Sequence, residues 1–144
     1  MYLLDTNVVS EMRKAFKPDQ RGARIDPRVK AWIDSVGRLE LYLSSIVIFE
    51  LEIGYQLIEL RDPPQAAVLR SWVRDQVVPE FDGRILPVDV QVAQRCARLH
   101  VPNPAPHRDA FIAATALVHG MTVVTRNVRD FERTGVQVLN PWQD

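Results

Sequence analysis

The chain has 144 residues, 47% of them hydrophobic and 25% charged, which suits one globular domain with its own hydrophobic core. Its single cysteine, Cys96, excludes an internal disulfide and is typical of a reducing compartment, so we expect a cytoplasmic protein. No apolar run approaches the roughly 20 residues of a membrane span, and the N-terminus has no basic, cleavable leader. We therefore expect neither a membrane association nor a signal peptide.

The net charge of the chain is zero, but its basic residues are unevenly placed. Residues 13–30 contain seven basic and two acidic side chains, a net charge of +5, and the remainder carries −5. A basic segment beside an acidic centre attracts a phosphate backbone. A solvated surface loop explains the same charges, and both interpretations stay open at this point.

Short apolar strands alternate with amphipathic helices, which predicts an α/β fold. We expect one domain over residues 1–144, with a central, mostly parallel sheet flanked by helices. The predicted strands are 3–4, 41–44, 84–87, 121–125 and 136–139. The predicted helices are 7–14, 28–36, 47–60, 65–78, 89–100 and 109–119, with a charged loop at 17–27. The last helix is almost entirely apolar and should be buried, with Gly120 ending it.

Two further features concern the helix boundaries. Pro63 and Pro64 are expected to separate the third helix from the fourth, because proline interrupts a helix interior. Asp89 is expected to cap the helix at 89–100, since aspartate is a favoured N-cap residue.

Four acidic residues occupy strand-end or helix-start positions. Asp5 follows the first strand, Glu50 lies in the helix after the second, Asp109 begins the buried helix, and Asp130 follows the strand at 121–125. Side chains after parallel strands converge at one edge of a sheet. Carboxylates packed together repel unless a cation neutralises them, and Mg²⁺ or Mn²⁺ prefers such hard oxygen ligands.

Each acid also has an ordinary structural explanation. Asp5 and Asp109 can serve as helix caps, and Asp130 fits a turn. Glu50 is distinguished from neighbouring acids of its helix because it shares a face with Val47 and Gly54.

Four segments, taken together, are similar to a known family. They are Leu3–Asn7, Leu43–Leu51, Arg108–Ala116 and Val124–Phe131. With these in order at plausible spacing, nearly the whole chain resembles PIN-domain ribonucleases, and within them the VapC-type, FitB-like toxins of bacterial toxin–antitoxin pairs.

The resemblance implies a metal site and a chemistry. It implies that Asp5, Glu50 and Asp109 are the catalytic, metal-binding acids, supported by Thr6 and Asn7. In relatives the residue after Thr125-Arg126 is often acidic, whereas here it is Asn127, so either Asn127 or Asp130 is expected at the fourth position. A second departure is Val47, where relatives often carry a threonine near the site.

The same resemblance implies a cofactor and partners. We expect Mg²⁺, with Mn²⁺ able to substitute, and hydrolysis of RNA, often transfer RNA in the family. Arg13, Lys14 and Arg126 are the expected substrate-binding residues. The expected partners are the RNA substrate, a cognate antitoxin whose C-terminal segment lies over the active site, and a second copy of the chain in a homodimer.

Two other functions remain to be weighed. An aspartyl-phosphate phosphatase also begins with a strand and an aspartate, but it usually carries a second aspartate two residues on, where this chain has Asn7. A catalytically inactive PIN-like module that only binds RNA or a protein partner is the main alternative, because Asn127 stands in an acid position.

Overall fold

Five short parallel strands form one sheet in the computed structural model, which describes residues 1–15 and 24–143. The strands are β1 (Tyr2–Leu4), β2 (Leu41–Ser44), β3 (Ile85–Leu86), β4 (Thr122–Val124) and β5 (Val138–Leu139). Their order in the sheet is β3-β2-β1-β4-β5, and each neighbouring pair is parallel. The predicted mostly parallel sheet is confirmed.

Helices flank this sheet in the described part of the chain. They are α1 (Thr6–Arg13), α2 (Pro27–Ser35), α3 (Ser45–Glu59), α4 (Pro63–Trp72), α5 (Val78–Glu80), α6 (Val90–Leu99) and α7 (His107–His119). A π-helical turn, Val73–Val77, joins α4 to α5, and 3₁₀ turns occupy Arg38–Glu40 and Val128–Thr134. None of these helices is long and apolar enough to cross a lipid bilayer.

Three predicted helix starts are two residues late, those of α3, α4 and α7. The predicted break between the third and fourth helices is confirmed, but it lies at residues 60–62, and Pro63 and Pro64 begin α4, because proline is tolerated in a first turn, where its missing N–H has no intrahelical partner. The side chain of Asp62 caps this helix by accepting from the backbone N–H of Gln65. Helix α7 begins two residues before the predicted position, so Asp109 lies inside its first turn and does not occupy the cap position, which is Pro106.

The cap of α6 and the end of α7 are confirmed. The Asp89 carboxylate accepts a hydrogen bond of 2.9 Å from the backbone N–H of Val92. Gly120 follows α7 with φ of +66°, a left-handed conformation that side chains with a Cβ rarely adopt. The predicted loop at 17–27 falls largely outside the described residues, and its described part, 24–26, has no regular structure.

The central strands are buried on both faces, as expected for a parallel sheet covered by helices. Leu3, Leu4, Leu43, Val123 and Val124 have no exposed surface. Burying each of these side chains contributes roughly 1.5–3 kcal/mol of hydrophobic free energy. Helix α7 packs on this layer and is buried along most of its length, as its sequence predicts.

The sheet order places a change of chain direction beside β1. From β1 the chain moves to β2 and β3 on one side and then returns to β4 and β5 on the other. Open α/β sheets bind ligands beyond the carboxyl ends of their strands at such a switch point. Asp5 directly follows β1, and Thr125 directly follows β4.

Candidate metal centre

Asp5 caps α1 and also lies in the interior of the site. Its Oδ1 accepts a 2.8 Å hydrogen bond from the backbone N–H of Thr6. Its Oδ2 accepts from the Thr125 hydroxyl at 2.8 Å and, at 3.5 Å, from the Asn7 amide. Only 6% of the residue is exposed. Capping and a place in the acid cluster are therefore compatible roles of one side chain.

Thr125 is a central residue of this site that the sequence interpretation did not single out. Its fully buried hydroxyl donates to Asp5 and accepts from the Asn7 amide (3.3 Å) and from the backbone N–H of Asn127 (3.0 Å). The available signal was a polar, β-branched residue directly after a predicted apolar strand, opposite the strand that ends at Asp5.

Glu50 reaches the site from α3. The Ser44 side chain caps that helix by accepting from the backbone N–H of Ile46, which fixes its start at the end of β2. Glu50 Oε1 accepts a 2.8 Å hydrogen bond from the Thr6 hydroxyl. Its Oε2 lies 3.7 Å from Nη1 of Arg108, a contact that the sequence interpretation missed.

Asp109 lies half-buried in the first turn of α7. Burial raises its pKa to about 6, and the charges of Asp5, Asp130 and Glu50 act in the same direction, while Arg108 opposes them. Burial likewise raises the pKa of Asp5, although hydrogen bonds from Thr125 and Thr6 offset part of this effect. Four carboxylates from four separate parts of the chain therefore lie in one electrostatic neighbourhood.

The fourth position involves both Asn127 and Asp130. The exposed Asp130 lies in the 3₁₀ turn that follows Asn127, and its backbone N–H donates to the Asn127 carbonyl. The charge of Asp130 raises the pKa of both Asp5 and Asp109. The backbone N–H of Asn127 donates to the Thr125 hydroxyl, so the hydrogen bond between these two residues does not involve the Asn127 side chain.

The donor set fits a hard divalent cation. All four acids offer carboxylate oxygens, which Mg²⁺ and Mn²⁺ prefer, and their mutual repulsion is what such an ion neutralises. Within residues 1–15 and 24–143, however, no three acidic, histidine or cysteine side chains are already arranged closely enough to enclose an ion. Glu50 is instead held by Thr6 and Arg108.

The three predicted substrate-binding cations occupy different places. Arg126 adjoins the site, because its backbone N–H donates to Asn7 Oδ1 at 3.2 Å. Lys14 pairs with Glu11 at 3.1 Å, and the Arg13 guanidinium lies 5.8 Å from the centre of the Trp72 ring. Both stand at the opposite end of α1 from Asp5, roughly 12 Å along the helix axis.

The basic segment 13–30 is partly neutralised where it is described. Arg28 pairs with Asp26 at 3.3 Å, and Lys30 pairs with Asp34 at 2.6 Å. Lys17 and Arg21 lie outside the described residues.

A family model described as PIN domain matches residues 2–137. The chain belongs to the PIN-domain family. Among curated relatives, it is 39% identical to Toxin FitB of Neisseria gonorrhoeae, with both chains covered in full, and 35% identical to VapC ribonuclease Y4jK of Sinorhizobium fredii, with 99% of each covered. One of these relatives is thus named a toxin and the other a VapC ribonuclease.

Solved structures share the fold of this chain. The crystal structure of FitAcB from Neisseria gonorrhoeae contains a chain that superposes with a TM-score of 0.84 at 36% identity, covering both chains in full. A toxin–antitoxin complex from Klebsiella pneumoniae, at 21% identity and a TM-score of 0.66, shares the fold.

Proposed function

We propose that this chain is a divalent-metal-dependent endoribonuclease and the toxin of a type II toxin–antitoxin pair. The observation that carries this proposal is that Thr6 joins Asp5 to Glu50 beyond the carboxyl ends of the strands, while the charges of Asp5, Glu50 and Asp130 all act on Asp109. Relatives that match the full chain are named ribonuclease or toxin, which supports the same reading.

In this proposal Asp5 and Asp109 bind Mg²⁺, Glu50 binds it directly or through water, and Asp130 completes the site in preference to Asn127. Mn²⁺ can substitute. When bound, the ion lowers the pKa of a bound water and neutralises charge on the scissile phosphate.

Thr6, Asn7 and Thr125 position the acids. The Thr6 backbone and hydroxyl donate to Asp5 and Glu50, respectively, so one residue sets the spacing of two carboxylates. Asn7 and Thr125 both donate to Asp5 Oδ2, which orients Oδ2 within the buried site. Outer partners of this kind commonly change metal affinity or activity 10–100-fold when removed.

Replacement of Asp5 by asparagine tests the assignment. Asparagine keeps a cap oxygen for α1, since it caps about as well as aspartate, but it removes the charge. RNA cleavage with Mg²⁺ should be lost while the circular dichroism spectrum is retained. Asp89→Asn is the matched control, because Asp89 also caps a helix, α6, and its charge is not among those that act on Asp5 or Asp109. Equal cleavage by Asp5→Asn and the unaltered protein would refute the assignment.

An inactive PIN-like module that binds RNA or a protein partner remains the second candidate. The pairing of Glu50 with Arg108 favours it, because that cation partly satisfies an acid that catalysis needs. Calorimetry with Mn²⁺ separates the two candidates. A working site should take up the ion with displacement by EDTA, whereas an inactive module should take up none.

The RNA class that this protein cleaves can be identified directly from total RNA. Family resemblance points to structured RNA, including transfer RNA, as the substrate. Total RNA incubated with Mg²⁺ or with EDTA, followed by sequencing of the new ends, identifies the target and the cut position. Cleavage confined to ribosomal or messenger RNA would exclude transfer RNA.

A cognate antitoxin is the proposed protein partner. Chains similar to this one occur in two structures of DNA-bound complexes. One is FitAB bound to an IR36 DNA fragment, and the other is DNA-bound VapBC from Salmonella typhimurium. Co-expression with the product of a neighbouring short reading frame should suppress RNA cleavage and yield a complex that survives size-exclusion chromatography.

A homodimer is the proposed assembly, supported by exposed apolar side chains on α3 and at its C-cap. Phe49, Leu57 and Leu60 are 51%, 58% and 84% exposed. Leu57→Lys should shift the mass measured by light scattering from dimer to monomer. Leu39→Lys, at another exposed leucine outside α3, should leave the mass unchanged.

A further inference from the structure

A polar depression borders the acids on the β5 side of β4. Its volume of about 420 Å³ falls within the range of roughly 300–1,000 Å³ that is typical of pockets for small ligands. Its lining combines two arginines and three amides with two acids and a valine, namely Arg126, Arg129, Asn127, Asn140, Gln143, Asp130, Glu132 and Val128. We call it the β4–β5 pocket.

The β4–β5 pocket is structurally continuous with the acid cluster. The Thr125 hydroxyl donates to Asp5. The Thr125 backbone N–H donates to the Leu139 carbonyl of β5 at 3.0 Å, so the same residue contacts both the acid cluster and β5. The next residue, Arg126, is fixed to Asn7 through its backbone. A chain of direct hydrogen bonds thus joins Asp5 to the pocket wall.

The side chain of Arg126 stacks on Trp142. Its guanidinium lies 5.3 Å from the centre of the Trp142 ring, and Trp142 is only 6% exposed. Asn140 holds the following turn, because its Oδ1 accepts from the Trp142 backbone N–H and its carbonyl accepts from Gln143. A stacked, planar guanidinium loses less entropy on binding an anion than a free one.

We propose that the β4–β5 pocket binds the nucleotide adjoining the scissile phosphate, an inference that rests on the proposed ribonuclease function. Arg126 and Arg129 contact its phosphate, since guanidinium groups form charge-assisted, often bidentate bonds with phosphate. The amides of Asn140 and Gln143 contact the base edge, the usual target of sequence-selective RNA recognition. Asp130 and Glu132 also line the pocket, and their negative charges disfavour a second phosphate there.

The phosphate contact is tested with Arg129→Ala and its matched control, Arg133→Ala. Both arginines are exposed in the same 3₁₀ turn, but only Arg129 lines the pocket. Arg129→Ala should raise the KM for RNA roughly tenfold with a much smaller change in kcat, as expected for loss of one hydrogen-bonded charge. Arg133→Ala should change neither.

RNA binding gives a readout that a purely structural role would not alter. Fluorescence anisotropy with a short single-stranded RNA is measured over a range of salt concentrations, with Ca²⁺ in place of Mg²⁺ to neutralise the acids. Losing one phosphate contact should lower the slope of log affinity against log salt by about 0.7 in Arg129→Ala. The slope for Arg133→Ala should equal that of the unaltered protein.

The base contact is tested with Asn140→Asp. The new carboxylate still accepts from the Trp142 backbone, so the turn is kept, but the amide donor is lost. The distribution of bases at the cut site, read by sequencing of the cleaved ends, should change. Gln143→Ala provides a second test that leaves the Asn140 side chain in place.

Several outcomes would overturn the pocket assignment. They are equal KM and salt slope for both arginine variants and the unaltered protein, an unaltered base distribution for Asn140→Asp and Gln143→Ala, or weaker antitoxin binding with unchanged RNA binding. If the unaltered protein cleaves no RNA, the proposed function fails, yet the anisotropy measurement still decides the pocket. Absence of RNA binding would overturn both.

Discussion

At the scale of single residues, Thr6 connects two acids that are distant in sequence. Its backbone N–H donates to Asp5, and its hydroxyl donates to Glu50, 44 residues further along the chain. Both carboxylates are thereby held at one short segment between β1 and α1. The contact with Glu50 is made by the Thr6 hydroxyl.

Thr6→Val should therefore impair catalysis without unfolding the protein. Valine has nearly the same shape but no hydroxyl, so Glu50 loses its donor. We expect RNA cleavage to fall by roughly 10–100-fold, in line with other outer partners of metal ligands. Thr6→Ser, which keeps the hydroxyl, should restore most of the activity. Equal rates for the valine and serine variants would show that the bond has no catalytic role.

The raised pKa of Asp109 makes a prediction about stability without metal. An acid whose folded pKa is raised binds a proton more tightly in the folded state, so stability falls as the pH rises from the ordinary value of 3.8 through about 6. Asp109→Asn removes this penalty. In EDTA at pH 7.5 it should raise the free energy of unfolding by about 1 kcal/mol, allowing for solvent screening of this half-buried group.

Urea denaturation at two pH values measures the effect. The advantage of Asp109→Asn should be smaller at pH 4.5, where much of the native carboxyl is already protonated, than at pH 7.5. A variant that is less stable than the unaltered protein at pH 7.5 would contradict the assigned direction.

At the scale of elements, Arg84 holds three segments together at the β3 edge of the sheet. It is 7% exposed, and its guanidinium donates to the carbonyls of Arg38, Leu41 and Glu80. Its backbone carbonyl accepts from Leu43 of β2. The start of β2, the end of α5 and the preceding 3₁₀ turn thus share one buried cation.

Arg84→Met should destabilise the fold substantially. Methionine replaces the apolar stem but leaves three carbonyls, of which that of Leu41 is buried, without the guanidinium donor, at a cost of roughly 2–4 kcal/mol in the free energy of unfolding. Guanidinium denaturation measures it. Arg74→Met, which removes an exposed arginine paired with Asp75, is the control and should change stability by less than about 1 kcal/mol. Similar losses for both variants would show that burial of Arg84 is not the cause.

At the scale of the whole molecule, the proposed metal binding predicts a coupling to folding. The acids come from the end of β1, α3, α7 and the turn after β4, so an ion bound by them would join distant parts of the chain only in the folded state. A ligand that binds only the folded state stabilises it by RT ln(1 + L/Kd), where L is the ligand concentration, so the stabilisation grows with the logarithm of that concentration.

Mn²⁺ should therefore raise the melting temperature. At a concentration 100 times its Kd, the ion adds about 2.7 kcal/mol, or roughly 5–10 °C for a chain of this length. Differential scanning fluorimetry with Mn²⁺ and with EDTA measures the shift. Asp5→Asn should lose most of it, whereas Asp89→Asn should keep it. An equal shift in both variants would place the ion elsewhere.

The sequence by itself determined the order of strands and helices along the chain, the buried character of α7, and the acids that we propose as metal ligands. Apolar periodicity, caps and glycine stops are local signals, and they located most elements within a few residues. Where it was wrong, at Pro63 and at the start of α7, the local signal was ambiguous, because proline and histidine are acceptable in a first turn as well as before it.

Only the tertiary structure decided which groups meet. The partners of Asp5 and Glu50, namely Thr125, Thr6 and Arg108, are defined by contacts across the sheet edge, and such contacts leave no periodic trace in the sequence. The burial that raises the pKa of Asp109 likewise depends on how α7 packs, not on its neighbours in the chain. Residue type predicts what chemistry a side chain can perform, whereas packing decides which other groups are close enough to take part in it.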